Sequence, residues 1–109
     1  MTVITIIRST DGEYREMICE GHAGFAQAGS DIVCSAVSVL VINTVNSLEK
    51  LTDTQMETVS DRKRGLIRCR FTGGPDAGGR LLLDSMVLGL QSVAEQYGKK
   101  FLRLKFKEV

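Results

Sequence analysis

The chain has 109 residues, of which 43% are hydrophobic and 25% charged, and its formal net charge is +1. These values are typical of one soluble globular domain, and the small net charge excludes a global field that would attract nucleic acid or an anionic membrane. We find no basic segment followed by an apolar run at the N-terminus, and three cysteines favour free thiols. We therefore expect one cytoplasmic domain over residues 1–109, with no membrane segment and no cofactor.

The first half of the chain predicts two strands and a long helix. Val3 to Arg8 is β-branched, and Tyr14 to Glu20 reads as the returning strand after a turn at Thr10 to Gly12. Residues 21–30 hold glycines and alanines without an apolar period, which indicates a loop. Asp31 is a candidate N-cap for the helix that follows.

That helix is apolar on more than one side. Ile32 to Leu48 carries no charge, but serines, asparagines and a threonine interrupt it, so the pattern favours a buried helix over a membrane span. A helix with two apolar stripes must be covered on more than one face. The sheet would cover one face and a second subunit another.

The second half predicts a hairpin, a helix and a last strand. Thr54 to Ser60 and Gly65 to Phe71 form the hairpin, and residues 73–79 read as a loop. Leu83 to Tyr97 follows the spacing of an amphipathic helix, and Leu102 to Phe106 alternates apolar with basic residues. The order ββαββαβ predicts a single two-layer α+β domain with two helices on a mostly antiparallel or mixed sheet.

One short stretch could hold a nucleophile and a base. With Asp31 as N-cap, Cys34 is the third residue of the helix, where the helix dipole favours a thiolate. His22, the one histidine, lies where the second strand ends and could act as its base. Backbone N–H groups of residues 33–35 could hold the oxyanion of an acyl-transfer intermediate.

Simpler interpretations stay open for each residue. Cys34 could be a small hydrophobic residue of the helix, His22 a surface residue and Asp31 only a cap. Ser38, one turn after the cysteine, could line the site or only pack. A zinc site made of Cys19, His22, Cys34 and Asp31 is weak, because Cys19 and His22 would point to opposite faces of an extended chain.

Two further features have simple structural explanations. Residues 74–81 nearly match a phosphate-binding loop, but Arg80 replaces its lysine and Leu81 its hydroxyl, so a turn that could border a substrate groove fits better. Basic residues on the predicted strands could contact ribosomal RNA, although a solvated sheet face explains them more simply. They are Arg62, Lys63, Arg64, Arg68, Arg70, Arg103, Lys105 and Lys107.

Two sequence blocks carry a resemblance to a known family. Gly21-His22-Ala23, followed by Gly29-Ser30-Asp31-Ile32-Val33-Cys34-Ser35-Ala36-Val37-Ser38, resembles the ribosomal-processing cysteine protease family, Prp. The resemblance extends over the whole length, including the element order and the glycine-rich segment before the second helix. Ser35 stands where alanine is common in the family.

The resemblance implies specific roles. It makes Cys34 and His22 a catalytic pair, gives Asp31 an assisting or structural role, and makes Gly21 the hinge of the loop that follows. It also implies a substrate, the N-terminal extension of the bacterial large-subunit ribosomal protein number twenty-seven, cut after a phenylalanine-containing motif. Family members form homodimers, which fits the over-apolar first helix.

The sequence gives weaker support for one substrate contact and for two alternative functions. Phe25, a lone aromatic among glycines and alanines, is a weak candidate for a substrate contact. A non-catalytic ribosome- or RNA-associated binding module is the first alternative to a protease, and a thiol redox sensor is the second. Neither alternative has a positive motif in this sequence.

Overall fold

The structure, a computed structural model, describes residues 2–21, 30–61, 63–98 and 100–109. Five strands and two helices follow in the predicted order ββαββαβ. In chain order they are β1 (Thr2–Arg8), β2 (Tyr14–Glu20), α1 (Ser30–Leu51), β3 (Met56–Asp61), β4 (Leu66–Phe71), α2 (Ala77–Tyr97) and β5 (Leu102–Glu108).

The strands form one mixed sheet with the order β3-β4-β2-β1-β5. Three of the four pairings are antiparallel, and β1 pairs with β5 in parallel, Thr2 opposite Leu102 and Arg8 opposite Glu108. The predicted α+β class with a mostly antiparallel, mixed sheet is therefore confirmed. β3 and β5 are the edges of this sheet.

Both helices begin earlier than the sequence predicted. α1 starts at Ser30, so Asp31 is the second residue of the helix and not its N-cap. α2 starts at Ala77, which shortens the predicted loop over residues 73–79. The reason lies in Asp76, the N-cap of α2, which accepts hydrogen bonds from the backbone N–H groups of Gly79 (2.7 Å) and Asp53 (3.0 Å).

The core lies between the helices and one face of the sheet. Ile4 and Ile6 of β1 are fully buried, as are Leu83 and Leu90 of α2. The two helices pack against each other closely at Gly89, where a Cβ would come within 3.1 Å of a Leu40 methyl group. A small residue at that position therefore sets the distance between the helices.

Only one face of α1 reaches this core. Val33, Val37, Val41 and Leu48 are buried, while other apolar side chains of the helix face outward. By length and composition Ile32–Leu51 would pass as a membrane span, and 28% of it is buried in this fold. The core helix of a soluble protein passes the same test. The expected burial of α1 thus holds for one face of the helix.

The opposite face of the sheet carries neither α1 nor α2 and holds most of the cations of the five strands. The register places Arg68 and Arg70 of β4 beside Glu16 of β2, and Nε of Arg68 lies 2.8 Å from Oε1 of Glu16. Three further cations follow one another along this face of β5. They are Arg103, Lys105 and Lys107. Their neighbours on β1 are the uncharged Val3, Thr5 and Ile7.

Candidate active site

A groove lies between α1 and the β3–β4 end of the sheet. It is a cavity of about 440 Å³, with a wall from α1 and a floor from β4 and β3. Because neither α1 nor α2 covers β3, its groove-side Thr58 and Ser60 remain exposed. The sheet thus extends one strand beyond the helix layer, and this overhang creates the groove.

Cys34 lies in the wall of this groove. It is half-buried, and Ser38, one helical turn later, lines the same cavity. The other two thiols differ: Cys69 is fully buried, and Cys19 is 8% exposed where it lines the groove. Burial first, and then the neighbouring Cys34 thiol, raise the pKa of Cys19 to about 11. Cys34 is therefore the most accessible of the three thiols.

The helix start changes one detail of the expected site. A helix that begins at Ser30 leaves its unpaired N–H groups before Val33. The amides of Cys34 and Ser35 then donate to carbonyl groups four residues earlier, within the helix. The prediction that the amides of residues 33–35 hold the oxyanion is therefore wrong for Cys34 and Ser35.

The structure describes two of the four remaining predicted site residues. Gly21 lines the groove with a φ of +93°, a conformation that favours glycine and turns the chain out of β2. Asp31 lies in the first turn of α1, three residues before Cys34. His22 and Phe25 lie outside the described residues.

Several residues of the groove were missed by the sequence analysis. The β3–β4 hairpin supplies Ser60, Asp61 and Ile67, and Thr2 of β1 also contributes. Which strands lie next to each other depends on the sheet order, and a sequence without an alignment gives little indication of that order. Cys19, interpreted as a core residue, is buried as expected and also faces the groove.

Two expectations concern other ligands. The segment over residues 74–81 contributes no residue to the groove lining, so it does not border this site. Instead, Gly74 lies against the Glu13 carboxylate, and Asp76 caps α2. Within the described ranges no group of three or more histidine, cysteine, aspartate or glutamate side chains is placed to hold a metal ion.

Curated relatives are similar over nearly the whole chain. The ribosomal processing cysteine protease Prp of Staphylococcus aureus is 28% identical over 107 residues, which cover 98% of this chain and 100% of the relative. The protein of the same name from Bacillus subtilis is 29% identical over 101 residues, 89% of this chain and 90% of the relative.

Two solved structures are also similar to this chain over nearly its whole length. The essential ribosomal processing protease Prp from S. aureus, in complex with a covalently linked product peptide, superimposes with a TM-score of 0.89 at 28% identity. The match covers 98% of this chain and 100% of that structure. The same protease with a substrate peptide gives a TM-score of 0.88, again at 28% identity over 98% and 100% of the two chains. The family model for the cysteine protease Prp matches residues 1–101, and this chain therefore belongs to the Prp family of cysteine proteases.

Proposed function

We propose that this chain is an endopeptidase in which Cys34 attacks the scissile carbonyl as a thiolate. The carbon–sulfur bond forms as His22 takes the thiol proton, and His22 returns that proton to the leaving amine as the carbon–nitrogen bond breaks. Water then hydrolyses the thioester, which releases the carboxylate of the N-terminal product and restores the thiol. General acid–base assistance of this kind supplies about 10²–10⁴-fold in rate.

The observation that carries the proposal is the position of Cys34 in the groove. Its thiol shares the cavity with Gly21, the residue directly before His22 in the chain. The proposed base thus follows in sequence directly after a residue that lines the cavity of the proposed nucleophile. The covalently linked product peptide of the S. aureus relative supports a mechanism with a covalent intermediate.

For the substrate we propose the N-terminal extension of the bacterial large-subunit ribosomal protein number twenty-seven. The names of the relatives support a role in ribosomal processing, and a relative has been solved with a substrate peptide. An open groove lined by Val37, Ile42 and Val45 suits an extended peptide with apolar side chains. Processing of a ribosomal protein also fits a cytoplasmic location, which we include in the proposal.

The test is cleavage of a peptide that spans this extension, read by mass spectrometry. We expect one cut after the phenylalanine motif with the wild-type protein and none with Cys34→Ala or Cys34→Ser. Cys69→Ala is the matched control, because it removes the same sulfur from the core and not from the groove. A cut by the Cys34→Ala protein would contradict the mechanism.

A homodimer through α1 is the second part of the proposal. Ile32 and Val39 of this helix are 57% and 67% exposed on one side, away from the core. Exposed apolar side chains of this size on one helix face favour contact with another protein surface. A second copy of the chain would cover them without blocking the inner wall of the groove, where Cys34 lies.

The β5 cations favour one alternative function, a ribosome- or RNA-associated binding module. Arg103, Lys105 and Lys107 share a face with uncharged neighbours on β1, whereas Arg68 and Arg70 lie beside Glu16. An inert Cys34 with salt-sensitive RNA binding would favour this alternative. Retention of RNA affinity after charge reversal of the three β5 residues would contradict it.

A further inference from the structure

We infer that Asn46 binds the main chain of an extended peptide about six residues from the bond that Cys34 attacks. The inference rests on the proposed peptidase function and extends it to the length of peptide that the groove binds. Asn46 lies on α1 and lines the same cavity as Cys34. It is exposed, so it lies at the rim of the groove and not on its floor.

One row of side chains along α1 forms the wall of the groove. Four of the lining residues follow one another at intervals of four positions. They are Cys34, Ser38, Ile42 and Asn46. Residues four apart on a helix form a ridge that is inclined by about 26° to the helix axis. Four residues rise by about 6 Å along the axis, so neighbouring members of the row are separated by about 6.7 Å along the ridge.

An extended peptide has nearly the same repeat as this row. It rises by about 3.3 Å per residue, so residues two apart are separated by about 6.6 Å. Alternate residues also present their N–H and C=O groups on the same edge of the strand. Each member of the row therefore meets every second residue of a peptide that lies along it. Asn46 is three steps from Cys34, which places it at about the sixth residue from the scissile bond.

The carboxamide of Asn46 matches the hydrogen-bonding groups of one peptide residue. It has an acceptor oxygen and a donor NH₂ group, and an extended residue offers one N–H and one C=O on the same edge. Within the described ranges Asn46 makes no side-chain hydrogen bond, so both groups are open to a ligand. Thr44 of the same helix differs, since its hydroxyl donates to the carbonyl oxygen of Leu40 at 2.7 Å.

Peptides with a single ester bond test the inference. An ester replaces one amide N–H by oxygen and keeps every side chain, and it is placed in turn at each position on either side of the scissile bond. For the wild type we expect kcat/KM to fall about three- to tenfold at a position near the sixth, as for one neutral hydrogen bond. Because Asn46 is far from the reacting atoms, the loss should lie mainly in KM.

Variants of α1 assign this loss to Asn46. Asn46→Ala removes the carboxamide, so kcat/KM falls for the all-amide peptide and the ester near the sixth position causes no further loss. Asn46→Asp keeps an acceptor for the peptide N–H, so the ester still lowers kcat/KM. Asn43→Ala is the matched control, because Asn43 is also an exposed asparagine of α1 but does not line the cavity. It should leave both values as in the wild type.

Peptide binding separates this inference from the proposed peptidase function. The Cys34→Ala protein has no nucleophile, so its affinities for the amide and ester peptides are measured without cleavage. If the wild type cuts no peptide but the ratio of these affinities depends on Asn46, the peptidase proposal fails and the inference stands. If Asn46→Ala leaves the ester effect unchanged at every position, or if Asn43→Ala removes it equally, the inference is overturned.

Discussion

The two helices have nearly the same length but different tasks. α2, with 21 residues, has an N-cap and buries one stripe that includes Leu83, Met86 and Leu90. α1, with 22 residues, buries one stripe, lines the groove with a second and exposes apolar residues on a third. The comparison shows that one helix mainly stabilises the sheet, whereas the other carries the proposed nucleophile and the apolar surface of the proposed dimer.

The largest loss of stability should come from a substitution in the buried face of α2. Leu90→Ala removes a fully buried side chain of α2, and we expect it to lower the free energy of unfolding by about 2–5 kcal/mol. Val39→Ala on the exposed side of α1 should change it by less than about 0.5 kcal/mol in the monomer. Urea denaturation at low protein concentration measures both, and equal losses would remove the distinction between the helices.

Association of the chain should depend on α1 and not on α2. Val39→Asp places a charge on the exposed apolar side of α1, so we expect a monomer where the wild type is a dimer. Leu88→Asp is the matched control, since Leu88 of α2 is 66% exposed. Sedimentation at micromolar concentration measures the oligomeric state of both variants. A wild-type monomer, or dissociation by Leu88→Asp alone, would move the interface away from α1.

A loss of stability smaller than that of Leu90→Ala is expected at the start of α2. Asp76→Ala should destabilise the protein less than Leu90→Ala, because it removes the bonds from the Gly79 and Asp53 N–H groups and the Thr54 hydroxyl but no buried apolar side chain. Asp76→Asn, which keeps an acceptor, should cost less still.

The pH dependence of this cap has a definite sign. The bonds from the Gly79 and Asp53 N–H groups hold the pKa of Asp76 below its usual value. The charged cap therefore contributes stability above the unfolded-state pKa of about 3.9, and that contribution is lost as the pH falls through the lowered folded-state pKa. The melting temperatures of the wild type and Asp76→Ala should converge as the pH is lowered into the acid range. A constant gap down to low pH would contradict the role of the charge.

Local patterns predicted the elements well, because each depends on neighbouring residues. The alternation of Ile67, Cys69 and Phe71 with arginines fixed β4, and the spacing from Leu83 to Tyr97 fixed α2. The helix starts were less predictable. The N-cap of α2 is held in part by Asp53 and Thr54, which are more than twenty residues away in the chain.

The candidate site was predicted only where it is local in sequence. Cys34, Ser38 and Gly21 come from one short stretch and do line one cavity. The opposite side of that cavity comes from the β3–β4 hairpin, including Asp61. Its position there depends on β4 pairing with β2, which joins Glu16 to Arg70 across 54 positions of the chain. Spacing along the sequence carries no direct signal for such a contact.

The parallel pairing of β1 with β5 has a consequence for how the chain folds. Thr2 pairs with Leu102, so this part of the sheet joins residues 100 positions apart, while the β3–β4 hairpin closes over a few residues. Closing a long loop costs entropy before its contacts form, which slows folding and delays such contacts. We expect the surface of α2 that packs beside β5 to be covered only when this long-range pairing forms. A chain that lacks its last strand should therefore aggregate more readily than the full chain.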